Sequence, residues 1–373
     1  MTMERRAFLK SAALGVAGTS AVAACGGAAN GPASAGEVVT GPEVTWRLAS
    51  SFPRSLDIIY GSVERFAARV GQLTGGRFTI RTYPAGELVP GLQVMDAVQQ
   101  GTVHAGHSAT YYYLGKNPAL AFDTGVPFGL TARQQNAWLG QGGGRDALRP
   151  IFAEFGIVQF ACGNTGTQFG GWFRQPITSV ADLRGLRMRM PGLGGEVMSK
   201  LGVSVQTLAG GEIYPALERG AIDATEWIGP HDDEKLGFHQ IAKNYYYPGW
   251  HEPGVSLTLM VNQEALDALP EVYRHVVEVA AAEQNHEMLE RYDASNPPAL
   301  ARLRAAGVEV RPFPEEVLEA VWRESQALLD GYAAQSAQFK AIYEPWKTYR
   351  QESFRYFSGV EQAYANFAFP KVG

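Results

Sequence analysis

Cysteine is scarce in this sequence, which has two in 373 residues, Cys25 and Cys162. Two cysteines form at most one disulfide, so a small disulfide-stapled scaffold is excluded. Cys162 follows the apolar run at 157–161, and we expect a buried structural thiol there rather than a reactive one. Positive charge is not in excess either, because 32 basic residues face 37 acidic ones and the formal net charge is −5. A mildly acidic chain of this kind is not expected to bind nucleic acid.

Long apolar runs and catalytic motifs are also missing. After the N-terminal segment, no run reaches the roughly 18 apolar residues that a membrane-spanning helix needs. The patterns G-x-S-x-G and H-E-x-x-H do not occur, and no G-x-G-x-x-G follows a predicted strand. The run Gly142-Gly143-Gly144 is not followed by Lys-Ser or Lys-Thr, so it is not a phosphate-binding loop. These absences weaken the hypothesis of an enzyme without excluding it.

The N-terminus has the pattern of an export signal. Residues 1–25 begin with a basic segment containing Arg5 and Arg6, a twin-arginine pattern, and continue with a small, apolar core. The sequence before Cys25 is similar to a bacterial lipobox, which predicts a lipid on that cysteine; ordinary cleavage nearby, with Cys25 incidental, is the alternative. Residues 26–43 are small and flexible and read as a tether. We therefore expect an exported protein in the periplasm, anchored to a membrane through Cys25.

Strands and helices alternate along the first part of the folded chain. We predict strands and helices in the order 44–49 (strand), 56–73 (helix), 77–83 (strand), 92–100 (helix) and 103–109 (strand). Such β-α-β alternation is typical of a parallel sheet covered by helices. The last of these strands leads into three tyrosines at 111–113, which either line a cleft or pack within the lobe.

The stretch at 186–229 repeats this alternation and places charged residues at strand ends. Arg189 ends its first predicted strand beside a glycine cluster, and Glu226 and Trp227 end its third. Ligands of open α/β sheets bind at the carboxyl ends of the strands. A guanidinium holds a carboxylate by two parallel hydrogen bonds, and a carboxylate suits a cation. The residues therefore predict either a site for a small organic anion with a metal ion beside it, or a surface ion pair between Arg189 and Glu226.

Three segments resemble one protein family. The segments RMRMPGLGGEVMSKLG, GGEIYPALERGAIDATEW and YYYPGWHEP are similar to the extracytoplasmic solute-binding proteins of TRAP transporters, and most of all to the branch that binds 2-oxo acids and related monocarboxylates. The similarity extends from about residue 44 to about residue 262, and more loosely to the C-terminus. It implies a bilobed α/β fold like that of periplasmic binding proteins, with a ligand cleft between two α/β lobes and long C-terminal helices.

The resemblance also implies domain boundaries, which we take as expectations. Lobe I would comprise 44–162 with a returning segment at about 253–305. Lobe II would comprise 163–252 with about 306–335, and a C-terminal helix at 336–373 would follow. Within these segments we predict a helical break near Asn296-Pro297-Pro298 and another around Pro345.

The ligand implied by the resemblance is a small 2-oxo or 2-hydroxy monocarboxylate such as pyruvate or lactate. Arg189 would clamp its carboxylate, and Gln168 would help. Trp227 and Tyr113 are the other substrate-binding residues that the resemblance implies. Without the resemblance, Gln168 would be interpreted as an ordinary loop amide.

The metal site implied by the resemblance consists of Gln168, Glu226, Trp227 through its backbone carbonyl, and Glu252. Carboxylate, amide and carbonyl oxygens form a hard donor set that favours Na⁺ or Ca²⁺ over zinc. A cation there would offset the repulsion between two carboxylates and an anionic ligand. Glu252 by itself would be interpreted as a solvated loop acid.

The partner implied by the resemblance is a TRAP permease in the membrane, which receives the ligand. The C-terminal helix carries many aromatic residues, which either pack across both lobes or form a homodimer interface. We expect a receptor and not an enzyme. The alternatives are an exported metal-dependent lyase or hydrolase acting on a small carboxylate, and a sensor whose closed form binds a signalling protein.

Overall fold

Strands and helices alternate through most of the described chain. The structure is a computed structural model, and it describes residues 41–371. The predicted export signal, Cys25 and the tether up to residue 40 lie outside the described residues. The strands in that range are β1 (Val44–Ser50), β2 (Phe78–Tyr83), β3 (Ala105–Ser108), β4 (Ile157–Asn164), β5 (Gly171–Phe173), β6 (Arg187–Arg189), β7 (Ser204–Gln206), β8 (Ala224–Thr225), β9 (Asn244–Tyr247), β10 (Ser256–Asn262) and β11 (Glu309–Pro312).

The helices cover the faces of these strands and form most of the C-terminal third. They are α1 (Gly61–Leu73), α2 (Val94–Gln99), α3 (Ala121–Thr124), α4 (Ala132–Gly140), α5 (Gly144–Ala153), α6 (Gly192–Lys200), α7 (Gly210–Glu218), α8 (Pro230–Leu236), α9 (Gln263–Asp267), α10 (Glu271–Ala305), α11 (Glu315–Gln335), α12 (Ala337–Phe357) and α13 (Ala363–Ala368). A π-helical turn at Ser358–Gln362 joins α12 to α13. No helix within residues 41–371 is long and apolar enough to cross a membrane.

The strands form two separate sheets, one in each lobe. In the first sheet the order is β2-β1-β3-β10-β4, and in the second it is β11-β9-β5-β8-β6-β7. The predicted βαβ pairs are parallel, as in β1 with β2 and β6 with β8. Two strands run the other way: β10 is antiparallel to β3 and β4, and β5 is antiparallel to β8 and β9. The sheets are therefore mixed: the strands of the predicted βαβ units are parallel, as expected, and the antiparallel strands β5 and β10 lie outside those units. The predicted bilobed fold is confirmed, while the lobe boundaries stay a prediction.

Helix α1 shows how apolar spacing sets the packing in the first lobe. Val63, Phe66 and Val70 are buried. Spacings of three and four residues place them on one helix face, which packs against the sheet next to β2. The helix begins at Gly61 rather than at the predicted residue 56. The chain turns at Gly75, whose φ of 59° lies in the left-handed region that glycine adopts without strain.

The long C-terminal helices break at a different place from the predicted ones. Helix α10 continues through Pro297 and Pro298, because Tyr292 before them and Leu303 after them are buried against the body of the protein. Helix α12 likewise continues through Pro345. The break falls instead at Ser336, which has extended backbone and whose Oγ accepts a hydrogen bond from the Phe339 amide at 3.1 Å.

Candidate functional site

Arg189 ends strand β6, and 1% of its surface is exposed. Its guanidinium donates to the Leu208 carbonyl through Nε at 3.2 Å and to the Glu226 carbonyl through Nη1 at 2.9 Å. The Cζ atom lies 5.1 Å from the centroid of the Trp227 ring. Burial lowers the pKa of Arg189, but the carboxylate of Glu226 and other negative groups outweigh it and raise the pKa. The side chain is therefore a buried cation held by backbone and aromatic groups.

Glu226 follows β8 and pairs with Arg189 in the interior of the protein. Its Oε1 atom contacts Nη1 of Arg189, and both side chains are 1% exposed. The alternative of an ion pair between these residues is thus realised, but the pair is buried and does not lie on the surface. Removing two charges from water costs about as much as their attraction returns, so such a pair contributes little net stability. Its position at the strand ends favours a binding role instead.

Glu252 lies beside this pair, in the loop between β9 and β10. It is 4% exposed, and its Oε2 accepts a hydrogen bond from the Tyr111 hydroxyl at 3.3 Å. Burial, followed by the nearby charge of Glu226, raises the pKa of Glu252 to about 8. The structure therefore brings together the two carboxylates that were proposed from the sequence, although 25 residues separate them.

His251 completes the cluster and was not among the predicted site residues. Its Nε2 lies 3.2 Å from Oε2 of Glu226. One ligand atom from each of Glu226, His251 and Glu252 can be chosen so that all three lie within 4.8 Å of one another. Burial lowers the pKa of His251, but the hydrogen bond to Glu226 and the charge of Glu252 raise it by more. The sequence signal was its place directly before Glu252, in the segment YYYPGWHEP.

The glycine cluster after β6 makes room for His251 rather than for a ligand. Most of this cluster forms the first turn of α6. A Cβ atom on Gly194 would lie 2.7 Å from the Cβ of His251. Glycine is therefore required there by the close approach of the loop that carries His251.

Gln168 contributes a buried acceptor that has no hydrogen-bond partner. The residue is 2% exposed, and its Nε2 donates to the Thr165 hydroxyl at 3.0 Å. Its Oε1 atom has no partner among the residues that the structure describes. An unpaired buried acceptor costs about 1–3 kcal/mol. The Gln168 Oε1 atom is therefore available for a cation or a donor on a ligand.

Tyr113 does not line the cavity at Arg189 with this group, and its role in ligand binding stays a prediction. The residues 110–113 form a 3-10 turn rather than a strand end, so successive tyrosines point in different directions. The Tyr113 hydroxyl lies 3.1 Å from the Ser108 hydroxyl and accepts from the Met95 amide, inside the first lobe. Tyr111 and Tyr112 line the site instead, and the Tyr112 hydroxyl accepts from Nη2 of Arg189 at 3.4 Å.

The cavity at Arg189 is small and is lined from both lobes. Its volume is about 10 Å³, close to the minimum that one water molecule needs. Tyr111 and Tyr112 line it from the first lobe, and Gln168, Arg189 and Trp227 line it from the second. The lobes are therefore closed on each other at this point, and a larger ligand requires them to separate.

The donor atoms of the site fit a hard cation. Carboxylate oxygens of Glu226 and Glu252 and the unpaired Oε1 of Gln168 are oxygen donors, the type that Na⁺ and Ca²⁺ prefer. His251 bonds to Glu226 and can orient that carboxylate, as groups next to metal ligands do. The pKa of about 8 leaves Glu252 largely protonated at neutral pH without a cation, so a cation would bind there in exchange for that proton. The ligand role of the Trp227 carbonyl stays a prediction.

A family model matches this chain. The model for "Bacterial extracellular solute-binding protein, family 7" matches residues 49–336. The chain belongs to this family. The monocarboxylate 2-oxoacid-binding periplasmic protein of Nostoc sp. is 50% identical over 366 residues, which cover 98% of this chain and 99% of that one. The resemblance to TRAP solute-binding proteins is thereby confirmed, and so is the expectation of a receptor and not an enzyme.

Two solved structures of similar proteins have the same fold as this chain. The TRAP transporter solute-binding protein of Bordetella bronchiseptica RB50 has 52% identity and a TM-score of 0.88, covering 89% of this chain and 98% of its own; it is a dimer with calcium and picolinate bound in one active site. The TRAP periplasmic solute-binding protein of Pseudoalteromonas atlantica T6c, with bound sodium and pyruvate, has 38% identity and a TM-score of 0.85. The match covers 87% of this chain and 99% of that one.

Proposed function

We propose that this solute-binding protein captures a small 2-oxo or 2-hydroxy monocarboxylate, such as pyruvate or lactate, between its lobes together with a bound Na⁺ or Ca²⁺. The observation that supports this most is the buried guanidinium of Arg189, fixed by the carbonyls of Leu208 and Glu226. A guanidinium in that position offers its remaining N–H groups to a carboxylate. The names of the Nostoc and Pseudoalteromonas proteins give 2-oxo acids as ligands, and the picolinate of the Bordetella protein is also a monocarboxylate, although not a 2-oxo acid.

The lining of the cavity favours a ligand with one carboxylate and a short apolar tail. Arg189 is the one cationic side chain among the described residues that line it. A second carboxylate would therefore be buried without a partner, which is costly. Phe52, Ile59, Val255 and Leu257 form an apolar wall that suits a methyl or short alkyl group.

Binding requires Arg189 to exchange one carboxylate for another. In the described structure the guanidinium contacts the Glu226 carboxylate, so a ligand must take its place. Glu226 would then join Glu252 and the Gln168 amide oxygen in holding the cation. The cation supplies the positive charge that allows two carboxylates and an anionic ligand to lie close together. Tyr111 already donates to Glu252 and would keep that carboxylate in place.

The test is a calorimetric titration of the purified chain with pyruvate, 2-oxobutyrate, lactate and succinate, each with and without a chelator. We expect binding at micromolar concentration or tighter for at least one monocarboxylate, weaker binding or none for succinate, and a clear loss of affinity after cation removal. The recovered ligand is checked by mass spectrometry and should be unchanged.

Two results would overturn the proposal. Binding of succinate in preference to all three monocarboxylates would refute the single-carboxylate argument. Equal affinity in the presence of a chelator that strips Ca²⁺, and in buffer without Na⁺, would remove the cation from the site. Restoring each cation separately identifies which of the two is used.

We propose further that the chain is exported by its twin-arginine-type signal, carries a lipid on Cys25, and delivers its ligand to a TRAP permease. The signal and Cys25 lie in the segment outside the described residues, so these proposals are supported by the sequence pattern alone. The permease follows from family membership, because a TRAP solute-binding protein hands its ligand to a membrane partner.

We also propose a homodimer formed through the C-terminal segment. Of its aromatic residues, Phe339, Tyr343 and Trp346 are buried within the protein, so packing accounts for them. Those further along are mostly solvent-exposed: Tyr356, Tyr364, Phe367 and Phe369 are 63–71% exposed. Exposed aromatic groups clustered in one segment are typical of interfaces. The Bordetella relative is a dimer.

A further inference from the structure

A second cavity lies in the first lobe, between α4, α5, β4 and α10. Its volume is about 210 Å³, well above the roughly 10–15 Å³ that a single water needs. None of the described residues that line it also lines the cavity at Arg189. It is thus a separate site that the capture of a monocarboxylate does not use.

Gln159 of β4 forms the floor of this second cavity. The residue is 2% exposed, and neither its Nε2 nor its Oε1 atom has a hydrogen-bond partner among the described residues. A buried amide without partners costs about 1–3 kcal/mol for each unpaired group. The two atoms require a partner that both donates and accepts hydrogen bonds.

Asp123 adds a negative charge to the same floor. It is 4% exposed, and its Oδ2 accepts a hydrogen bond from the Thr258 hydroxyl. Burial raises the pKa of Asp123 to about 6, so the carboxylate is ionised at neutral pH. It therefore repels a second carboxylate at the floor and attracts an ammonium group.

The wall and the mouth of the cavity are polar as well. Asn285 of α10 donates to Asn136 of α4 through its amide at 3.1 Å. At the mouth, Arg145 and Glu278 form an ion pair at 3.4 Å, with side chains 48% and 51% exposed. An exposed pair of this length contributes less than about 1 kcal/mol, so Arg145 can turn to a carboxylate at small cost.

We propose that this cavity binds a small zwitterion of the free α-amino-acid class. Its ammonium group would face Asp123 and the Gln159 amide oxygen at the floor. Its carboxylate would face the Gln159 NH₂ group and Arg145 at the mouth. A 2-oxo monocarboxylate lacks the ammonium group and would bring its charge toward Asp123, so the two cavities select different ligands.

The test screens glycine, alanine, serine and glutamine against the full chain by saturation-transfer NMR, followed by calorimetry for those that bind. We expect at least one to bind, and Gln159→Met to weaken it at least about tenfold, the effect of losing one or two good hydrogen bonds. Gln141→Met is the matched control, because Gln141 is exposed and close in sequence to the cavity wall but does not line it.

The following outcomes decide whether the second cavity binds an amino acid. Gln159→Met removes an unpaired buried amide, so its melting temperature should be no lower than that of the wild type. If its melting temperature is lower, Asp123→Asn is tested in its place, and that variant should also abolish amino-acid binding. The proposal is overturned by no binding of any amino acid, or by binding that saturating pyruvate or Arg189→Met removes, since that would place the amino acid in the Arg189 cavity. Failure of pyruvate to bind at all leaves this test unaffected.

Discussion

Arg189 is held by more groups than a ligand carboxylate alone would need. Two backbone carbonyls and the Trp227 ring fix the guanidinium before any ligand arrives. The contact with the Glu226 carboxylate is one among several, so giving it up does not release the side chain. A guanidinium that rigid neighbours orient in advance binds an anion with little reorganisation, and this raises the affinity for the ligand carboxylate.

Arg189→Met should weaken pyruvate binding by at least about 30-fold, since truncating one partner of a buried charged pair costs about 2–5 kcal/mol. Calorimetric titration measures the loss. Arg187→Met is the matched control: Arg187 stands two residues earlier on β6, is exposed, and pairs with Asp223. That variant should keep wild-type affinity.

Arg189→Met also leaves Glu226 in the interior without its guanidinium partner, so we expect this variant to have a lower melting temperature than the wild type. Arg189→Lys separates the two effects, because it keeps the charge and loses the planar pair of N–H donors. If Arg189→Lys is folded and binds pyruvate as tightly as the wild type, the two-bond clamp is wrong and a simple charge is sufficient.

Helix α7 positions Trp227 through the first of its two N-terminal glycines. A Cβ atom on Gly210 would lie 2.6 Å from Cη2 of Trp227. Gly210→Ala should therefore displace the ring from Arg189, lowering stability by about 1–3 kcal/mol and weakening ligand binding. Gly211→Ala is the control, because a Cβ there has nothing within 4 Å. It should leave binding unchanged and stabilise the helix by up to about 1 kcal/mol.

Urea unfolding and calorimetry on both variants check this prediction. The two glycines are adjacent in the first turn of α7, so replacing either one by alanine changes the helix propensity and the surroundings of the helix dipole in the same way. Equal effects of the two substitutions would show that contact with Trp227 is not what requires glycine at position 210.

The regular part of the chain allowed the proximity of Arg189 and Glu226 to be predicted, and the irregular parts did not allow the positions of Tyr113 and His251 to be predicted. Arg189 and Glu226 end neighbouring parallel strands, so the alternation of strands and helices was enough to bring them together. Tyr111 and Tyr112 line the cavity rather than Tyr113, because a 3-10 turn rotates successive side chains differently from a strand, and residue types do not reveal that change. His251 lies in a loop, where no period applies, and apart from its place next to Glu252 in the sequence it is identified by its contact with Glu226 in three dimensions.

The prolines of the C-terminal helices were misinterpreted for a related reason. A proline removes one backbone hydrogen bond, and local rules therefore predict a break near Pro297 and at Pro345. Burial of Tyr292 and Leu303 on either side of the first site outweighs that loss in α10. Contacts between distant parts of the chain decided the outcome, and a single sequence does not show them.

The two lobes are joined in a way that allows them to move around the ligand site. Strand β4 lies in the first sheet, the chain then enters the second sheet at β5, and β10 brings it back to the first. The site residues Gln168 and Glu252 stand on these crossing segments. A change in the angle between the lobes therefore changes the distances within the site directly, so ligand capture and lobe closure are coupled.

At the scale of the assembly, the C-terminal segment should hold two chains together. Replacing Tyr364, Phe367 and Phe369 by serine removes the most exposed aromatic groups near the C-terminal end of the described chain. We expect the wild type to have the mass of a dimer in light scattering after size-exclusion chromatography, and the triple variant to have the mass of a monomer. Aromatic residues dominate interface energetics, so the loss of three should exceed what a modest interface tolerates.

The matched control places three serines at exposed apolar positions elsewhere, Leu88, Val272 and Val279, which are 41–54% exposed. This variant should remain dimeric, because these residues lie on the loop after β2 and on α10, outside the C-terminal segment. Pyruvate affinity should stay near the wild-type value in both triple variants, since every residue that lines the Arg189 cavity comes from within residues 52–257. A wild-type chain that is monomeric at all concentrations would reject the dimer while leaving the ligand site intact, because that site is complete within one chain.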